Sequence, residues 1–337
     1  MLLDVPEEIV MRNQLLPCLS VPAVILWAVL APFTQAQTYP SRPVRLVVPY
    51  PSGASSNDIL ARQVAPKLAD KLGQNVVVDN RSGASGNIGA DIVAKSPADG
   101  HTLLYGTGGL FAIGPHLYKK LSYSPERDLA PVALIAVVPY LLVINASLPV
   151  NNLQEFIAYA KARPGKLRFA SSGIGGTPHL CVEMLKLMAG VDLLHVPYKG
   201  GAPAVVDTIA GQTHMYCAGL AATLPHVKSG KLKALGVTTL NRSAGAPDLP
   251  TLNEQGLKGF DVNSWGAIFV PAKTPAPVVD TLFRSLSAVM GTEGMRQTLI
   301  KQGMDPVLLG PKPFATQIRE ESARWGRVIS TAGIKLE

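Results

Sequence analysis

From residue 44 onward, short apolar runs alternate with segments whose apolar positions recur at helical spacing. The run 44–48 reads as a strand, because four aliphatic residues interrupted only by Arg45 suit a largely buried strand. A helix follows over 58–72, with Ile59, Leu60, Val64, Leu68 and Leu72 on one side and Pro66 inside, where a kink is expected. Residues 75–79 form a second strand, 88–94 a helix stopped by Pro97-Ala98-Asp99-Gly100, and 101–105 a third strand. This β-α-β-α-β order implies parallel strands with helices against both faces.

The apolar stretch 131–148 is too long and too rich in β-branched residues for one ordinary strand. It reads as two strands broken near Pro139, with the chain passing there from one domain to another. A second alternating set follows: helix 153–162, strand 167–170, helix 178–189, strand 193–196, helix 202–210, then strands 215–218 and 232–237. The extended passage 260–271 is the return crossing, after which helices at about 275–290, 292–302 and 313–331 rejoin the first domain. Two α/β lobes joined by two crossings describe a hinged cleft. The lobes are 38–140 plus 260–337, and 141–259.

The first 36 residues lie outside this alternation. Residues 15–33 are almost uncharged and run into TQAQ, so a secretory signal over 1–36, cleaved after Ala36, is expected. Pro17, Pro22 and Pro32 interrupt the apolar core and argue against a membrane span. Asp4, Glu7 and Glu8 carry the wrong charge for a leader, which places the expected start at Met11, with Arg12 as its positive end. The 337 residues are 47 % hydrophobic and 16 % charged, a globular composition. The formal charge is +8, but the basic residues are scattered, which excludes a nucleic-acid stripe and leaves only a mild preference for an anionic ligand. Cys181 and Cys217 survive export; a disulfide between them and two buried thiols both remain open.

Candidate chemistry lies where strands run into helices. In a parallel sheet the free N–H groups of a helix start point along the carboxyl edge of the strands, carry partial positive charge and attract anions. The stretch VVPYPSGASSNDILAR at 47–62 has this layout. Gly53 and Ala54 allow close backbone approach, and Ser55, Ser56 and Asn57 add donors, although an ordinary turn capped by Asn57 or Ser56 explains the same residues. Asp58 would interact with its own helix start or orient bound water. The design recurs at YGTGGL (105–110), with Thr107 and Gly108, and at ASSGIGGTPH (170–179), with Ser171, Ser172, Gly173, Gly175, Gly176 and Thr177 ahead of Pro178. His179 could bond a ligand or be structural. A phosphate-binding G-x-x-x-x-G-K-[ST] run, the dinucleotide fingerprint and a G-x-S-x-G elbow are all missing, and the histidines never show metal-ligand spacing. An exported α/β enzyme would need a nucleophile–base pair, and none is legible. No cofactor and no metal is expected.

The segments PYPSGASSNDILAR, VVVDNRSGASGNIGADIVAKSPADGHTLL, ASSGIGGTPHL, LLHVPYKGGAPAVVDTIAGQ and LPHVKSGKLKALGVT occur in this order. Together they resemble the extracytoplasmic solute receptors of tripartite tricarboxylate transporters, the Bug family, over essentially all of residues 38–337. The resemblance implies an α/β, two-lobed periplasmic binding protein of type II-like fold, each lobe a mostly parallel sheet flanked by helices. It implies a monomeric periplasmic receptor that closes over a small organic carboxylate and delivers it to a two-subunit integral membrane permease. A sensor presenting its closed form to a signalling partner is the alternative output. Carried onto this chain, the first ligand loop comprises Tyr50, Ser52, Gly53, Ser55, Ser56, Asn57 and Asp58, the second Thr107 and Gly108. The second-lobe loop runs from Ser171 to His179, and Tyr198 and Lys199 match the family's Tyr-Lys-Gly segment. His101 stands where the family usually has tyrosine, and Ala218 where it often has an acid. The missing acid makes a ligand with an apolar or aromatic far end the expectation.

Overall fold

The computed structural model describes residues 39–52, 56–118 and 120–335. The expected signal segment and its start at Met11 lie outside the described residues. The first half is built from β1 (Val44–Val48), α1 (Ser56–Leu72), β2 (Val76–Asn80), α2 (Asn87–Ala94) and β3 (Thr102–Thr107). The three strands are parallel, in the order β2-β1-β3, as the alternation requires. The aliphatic side chains of β1 at Val44, Leu46, Val47 and Val48 are fully buried, and only Arg45, paired with Asp79, interrupts the run. Beyond β3 the chain turns through a short π-helical stretch, Gly109–Ile113, into α3 (Gly114–Leu117) and then α4 (Pro125–Asp128). The sequence reading missed all three.

The crossing is the 17-residue strand β4 (Leu129–Asn145). The expected break at Pro139 is a change of partner rather than an interruption. On one side of Pro139 the strand pairs antiparallel with the return strand; from Tyr140 onward it pairs with strands of the second half. That half comprises α5 (Leu153–Lys161), β5 (Arg168–Ser171), α6 (Thr177–Ala189), β6 (Leu194–Pro197), α7 (Gly201–Ile209), β7 (Met215–Gly219), α8 (Leu220–Lys228) and β8 (Leu232–Val237). Strands β5, β6 and β7 are parallel, and β7 and β8 both lie antiparallel to β4. Helix α8 was not expected; it is only nine residues long and carries Pro225 inside it.

The chain returns through β9 (Asn263–Pro271), which pairs antiparallel with β3 and β4, and ends in α9 (Ala276–Met290), α10 (Glu293–Lys301), β10 (Asp305–Leu309) and α11 (Pro311–Thr331). The result is one curled sheet, β2-β1-β3-β9-β4-β7-β5-β6, with helices on both faces. Its two halves are the lobes of a periplasmic binding protein fold. Helix α11 serves both: Phe314 packs with Trp265 and Phe269 on the β9 side, whereas Trp325, Val328 and Ile329 join the core around Phe156, Phe169 and Leu180. Cys181 in α6 and Cys217 in β7 form a disulfide with Cα atoms 6.4 Å apart, which settles the question their spacing left open. No helix among the described residues is long and apolar enough to cross a membrane.

Candidate functional site

The ends of β1, β3 and β5 are where polar groups gather. Gly53 and Ser55 lie outside the described residues, as does the Ser56 side chain. The flanks of that loop are nevertheless tightly fixed. The Tyr50 hydroxyl shares a 2.6 Å hydrogen bond with Thr107 Oγ1, joining the first two predicted loops directly. Tyr105, fully buried one turn of strand earlier, donates its hydroxyl to Asn57 Oδ1 at 3.3 Å. Asp58 is buried in the first turn of α1 and accepts hydrogen bonds from Asn80 Nδ2 at 2.7 Å and Arg62 Nε at 2.9 Å. Asn80 Nδ2 also donates to the Tyr50 carbonyl at 2.9 Å. Arg62 reaches back one turn along α1 to donate to Ser52 Oγ at 3.0 Å and Asn80 Oδ1 at 2.7 Å.

The loop therefore has an arginine beside it that its own sequence does not contain. Its charge is matched by the buried Asp58 carboxylate, and its Nε and Nη2 groups latch the loop. Asp58, expected to serve its own helix start or a water, is a structural partner of Arg62 and Asn80. Both partners were missed, although Asn80 opens the N-R-x-G segment and β1–β2 register sets it beside Val48 at the strand end. A polar residue at the C-terminal end of a neighbouring parallel strand is the signal that could have found it.

Thr107 is buried, and Gly108 follows it in helical geometry with no loop between strand and helix. A Cβ on Gly108 would stand 3.1 Å from Trp265 Nε1 and 3.4 Å from Glu321 Oε1, so the absence of a side chain there is a packing requirement.

In the second half, α6 starts at Thr177 with Pro178 in its first turn, as the sequence suggests. Gly173 and Gly175 take positive φ, 141° and 75°, which the tight turn demands. Ser171 is fully buried: its oxygen accepts from Gly173 N–H at 3.2 Å and lies 2.6 Å from His195 Nε2. His179, buried at the helix start, accepts from Gly175 N–H through Nδ1 at 3.1 Å. These two predicted contact residues thus shape the turn from beneath. Tyr198 does the same from the other side. Its N–H donates to the Ser171 carbonyl at 2.9 Å, Gly200 N–H donates to the Ser172 carbonyl at 3.3 Å, and the Tyr198 hydroxyl donates to Asp207 at 2.8 Å. Ala218 is packed among Leu141, Ala204, Tyr216 and Leu220, so its methyl group is core. The groups left to line the turn are the backbone and hydroxyls of Ser172, Gly176 and Thr177.

One residue ties the halves together that sequence reasoning did not single out. Tyr140, the first residue of β4 past the change of partner, has its hydroxyl near the Thr177 side chain; burial holds its pKa above the ordinary phenol value, and Thr177 opposes the rise. Tyr50 is affected by it: burial pushes the Tyr50 hydroxyl up to about 12, the Thr107 bond opposes this, and the nearby Tyr140 adds to the rise. Tyr50 and Thr107 at the ends of the first-half strands thus have the second-half Tyr140 within electrostatic reach. Tyr140 is an aromatic residue in an otherwise aliphatic run beside a proline, and that irregularity was the available clue. Among the described residues no group of three or more His, Cys, Asp or Glu is placed to hold a metal ion.

The two-lobed sheet with helix starts and hydroxyls converging where the halves meet defines a periplasmic solute-binding protein. Residues 60–334 match the Tripartite tricarboxylate transporter family receptor, and the chain belongs to that family. It is 38 % identical to the protein BugT of Bordetella pertussis over 303 residues, 90 % of this chain and 93 % of that one. Among solved structures it resembles an R. palustris protein with adipate, with a TM-score of 0.75 and 40 % identity over 88 % of this chain and 99 % of that one. It also resembles MatC of Rhodopseudomonas palustris with bound malate, with a TM-score of 0.69 and 32 % identity over 86 % of this chain and all of that one. These relatives are solute-binding receptors, not enzymes.

Proposed function

We propose that this chain captures a small carboxylate between its lobes, 38–140 plus 260–337 and 141–259, and delivers it to a two-subunit membrane permease after export by a cleaved signal. The observation that carries the reading is that Tyr140, near Thr177, lies within electrostatic reach of Tyr50, which is bonded to Thr107, neutral donors beside helix starts from both halves. Such donors suit an anion whose charge is neutralised by N–H and O–H groups; hydrogen bonds to a charged partner contribute roughly 1.5–3 kcal/mol each. The first loop, 50–58, and the turn 172–177 supply the remaining backbone groups. The nearby arginine, Arg62, is already engaged by Asp58, which leaves the neutral groups to do the recognition. Both sets of loops belong to one chain, so a monomer suffices. The adipate and malate in the two R. palustris structures favour a dicarboxylate, whose charged far end departs from the apolar or aromatic far end expected from the missing acid. The alanine at position 218 gives no counter-charge for an amino group.

Thermal-shift screening against mono- and dicarboxylates tests this. A true ligand at a hundredfold its Kd stabilises by about 2.7 kcal/mol, a rise of several degrees. Stabilisation by neutral sugars or cations, and by no carboxylate, would reject the ligand class. At the site level, Thr107→Val removes the hydroxyl without changing the volume. It leaves the Tyr50 hydroxyl unpaired and is expected to weaken carboxylate binding about tenfold, the equivalent of one lost hydrogen bond. Titration calorimetry on the variant checks it, and unchanged affinity would remove Thr107 from the site.

A further inference from the structure

The turn between β5 and α6 rests on a pair of imidazoles that the binding function alone does not call for. His179 and His195 stack face to face, with ring centroids 3.8 Å apart and planes within 9°. Phe169 continues the stack beneath His195 at 4.8 Å. Each ring holds one end of the turn: His195 Nε2 meets Ser171 Oγ at 2.6 Å, and His179 Nδ1 accepts the Gly175 N–H. A nitrogen that accepts an amide proton carries a lone pair, so the neutral His179 keeps its own proton on Nε2, which faces Glu183 Oε1 at 3.7 Å. A second proton on His179 would have to displace the Gly175 anchor. A proton on His195 would sit on a ring stacked against His179.

We propose that the His179–His195 stack is a positioning device for the ligand turn, holding Ser171–Thr177 in its binding geometry only while both rings are neutral. The proposal rests on the reading of 172–177 as part of the carboxylate site and adds what governs its shape. The charged groups facing the pair are Glu183 and Lys186, both from α6; β5 presents only Phe169 and Ser171. Lys186 is bonded to Glu183 at 2.9 Å and lies 5.8 Å from the Phe169 ring, so the cation and the carboxylate largely cancel at the stack. Burial, then His179 and Lys186, hold His195 down to about 4, against a weaker pull from Glu183 in the other direction. The neutral ring is therefore favoured in the folded protein. Its contribution to stability is present above the ordinary histidine value and is lost as the pH falls from there toward about 4.

The test compares wild type with His195→Phe, which keeps the stack but cannot bond Ser171, and His195→Gln, which keeps a bonding group but cannot be protonated there. Adipate is the probe. Near pH 7.5, His195→Phe is expected to bind it about tenfold more weakly, and His195→Gln to recover most of that loss. Near pH 4, the wild type is expected to lose at least about threefold more affinity than His195→Gln. Because both are measured with the same probe, its own titration cancels. The unliganded protein supplies an independent readout: the Gly173 amide resonance, coupled to His195 through Ser171 Oγ, is expected to titrate together with the His195 ring and to stay put in His195→Gln. Parallel loss of affinity in both proteins, or a Gly173 amide indifferent to pH, would overturn the proposal. If adipate failed to bind at neutral pH, the carboxylate reading would fall, and the amide titration alone would decide this one.

Discussion

Replacing Glu321 by alanine is expected to destabilise the protein by about 2–6 kcal/mol, the cost of leaving two buried donors without an acceptor. Glu321 lies on α11 and is buried; Oε2 accepts from Trp265 Nε1 at 2.8 Å and Oε1 from Trp325 Nε1 at 3.2 Å. Both indoles are fully buried, so truncation leaves two N–H donors without an acceptor, each costing roughly 1–3 kcal/mol. The two tryptophans belong to different cores. Trp265 packs with Phe111, Phe269 and Phe314, and Trp325 packs with the second-half cluster around Phe169 and Leu180. One carboxylate therefore joins both cores at the crossings, directly beneath Gly108. Burial raises the Glu321 pKa above its ordinary value, outweighing the two indole bonds and Arg324, while Asp261 adds to the rise. A raised carboxyl favours the protonated form in the folded state, so its contribution is complete in acid and is lost as pH rises through the raised value. Glu321→Gln offers one carbonyl to two donors and should cost about 1–2 kcal/mol. The gap between wild type and Glu321→Gln should narrow as pH rises above the ordinary carboxylate range. Urea unfolding of the two proteins across that range measures it; a gap that widens with pH would mean that the ionised form is the one the fold prefers.

Much of the scaffold is legible in the sequence because strands such as β1, β3 and β9 are largely buried and most helices have one apolar side. The runs at 44–48 and 232–237 coincide with β1 and β8, and α6 begins at the residue before the proline that suits a helix start. What escaped has a common physical cause. Strand β10 reads Asp305-Pro306-Val307-Leu308-Leu309 and is only half-buried; its three-residue apolar run behind a proline, between two helices, is too short to announce it. The π-helical stretch after Thr107 depends on Gly108 fitting against Trp265 and Glu321, a contact with residues far along the chain. The loops of the candidate site were visible as glycine- and hydroxyl-rich turns. Which of their residues face a ligand was not, since that depends on partners such as Asn80, His195 and Asp207, supplied by neighbouring elements. A buried serine and an exposed one are the same letter. Spacing in the chain likewise could not decide Cys181 and Cys217, because their proximity is made by α6 lying on β7.

That disulfide carries the second large expectation. It closes a loop spanning a sequence separation of 36 residues. On chain-entropy grounds a loop of that size contributes about 3–4 kcal/mol by restricting the unfolded chain. The double variant Cys181→Ala, Cys217→Ala should lose that much in urea unfolding, whereas a reductant should produce the same loss in the wild type and none in the variant. The consequence reaches the site, because Cys181 lies two residues beyond His179, in the segment of α6 that presents Thr177. The bond fixes that helix start to β7 independently of the histidine stack. Removing it should therefore weaken carboxylate binding as well as lower stability, and saturating ligand should recover part of the stability through its preference for the folded form. A double variant that binds as tightly as wild type would show that the stack alone positions the turn. One with unchanged stability would show that the crosslink constrains an unfolded chain already compact in that region.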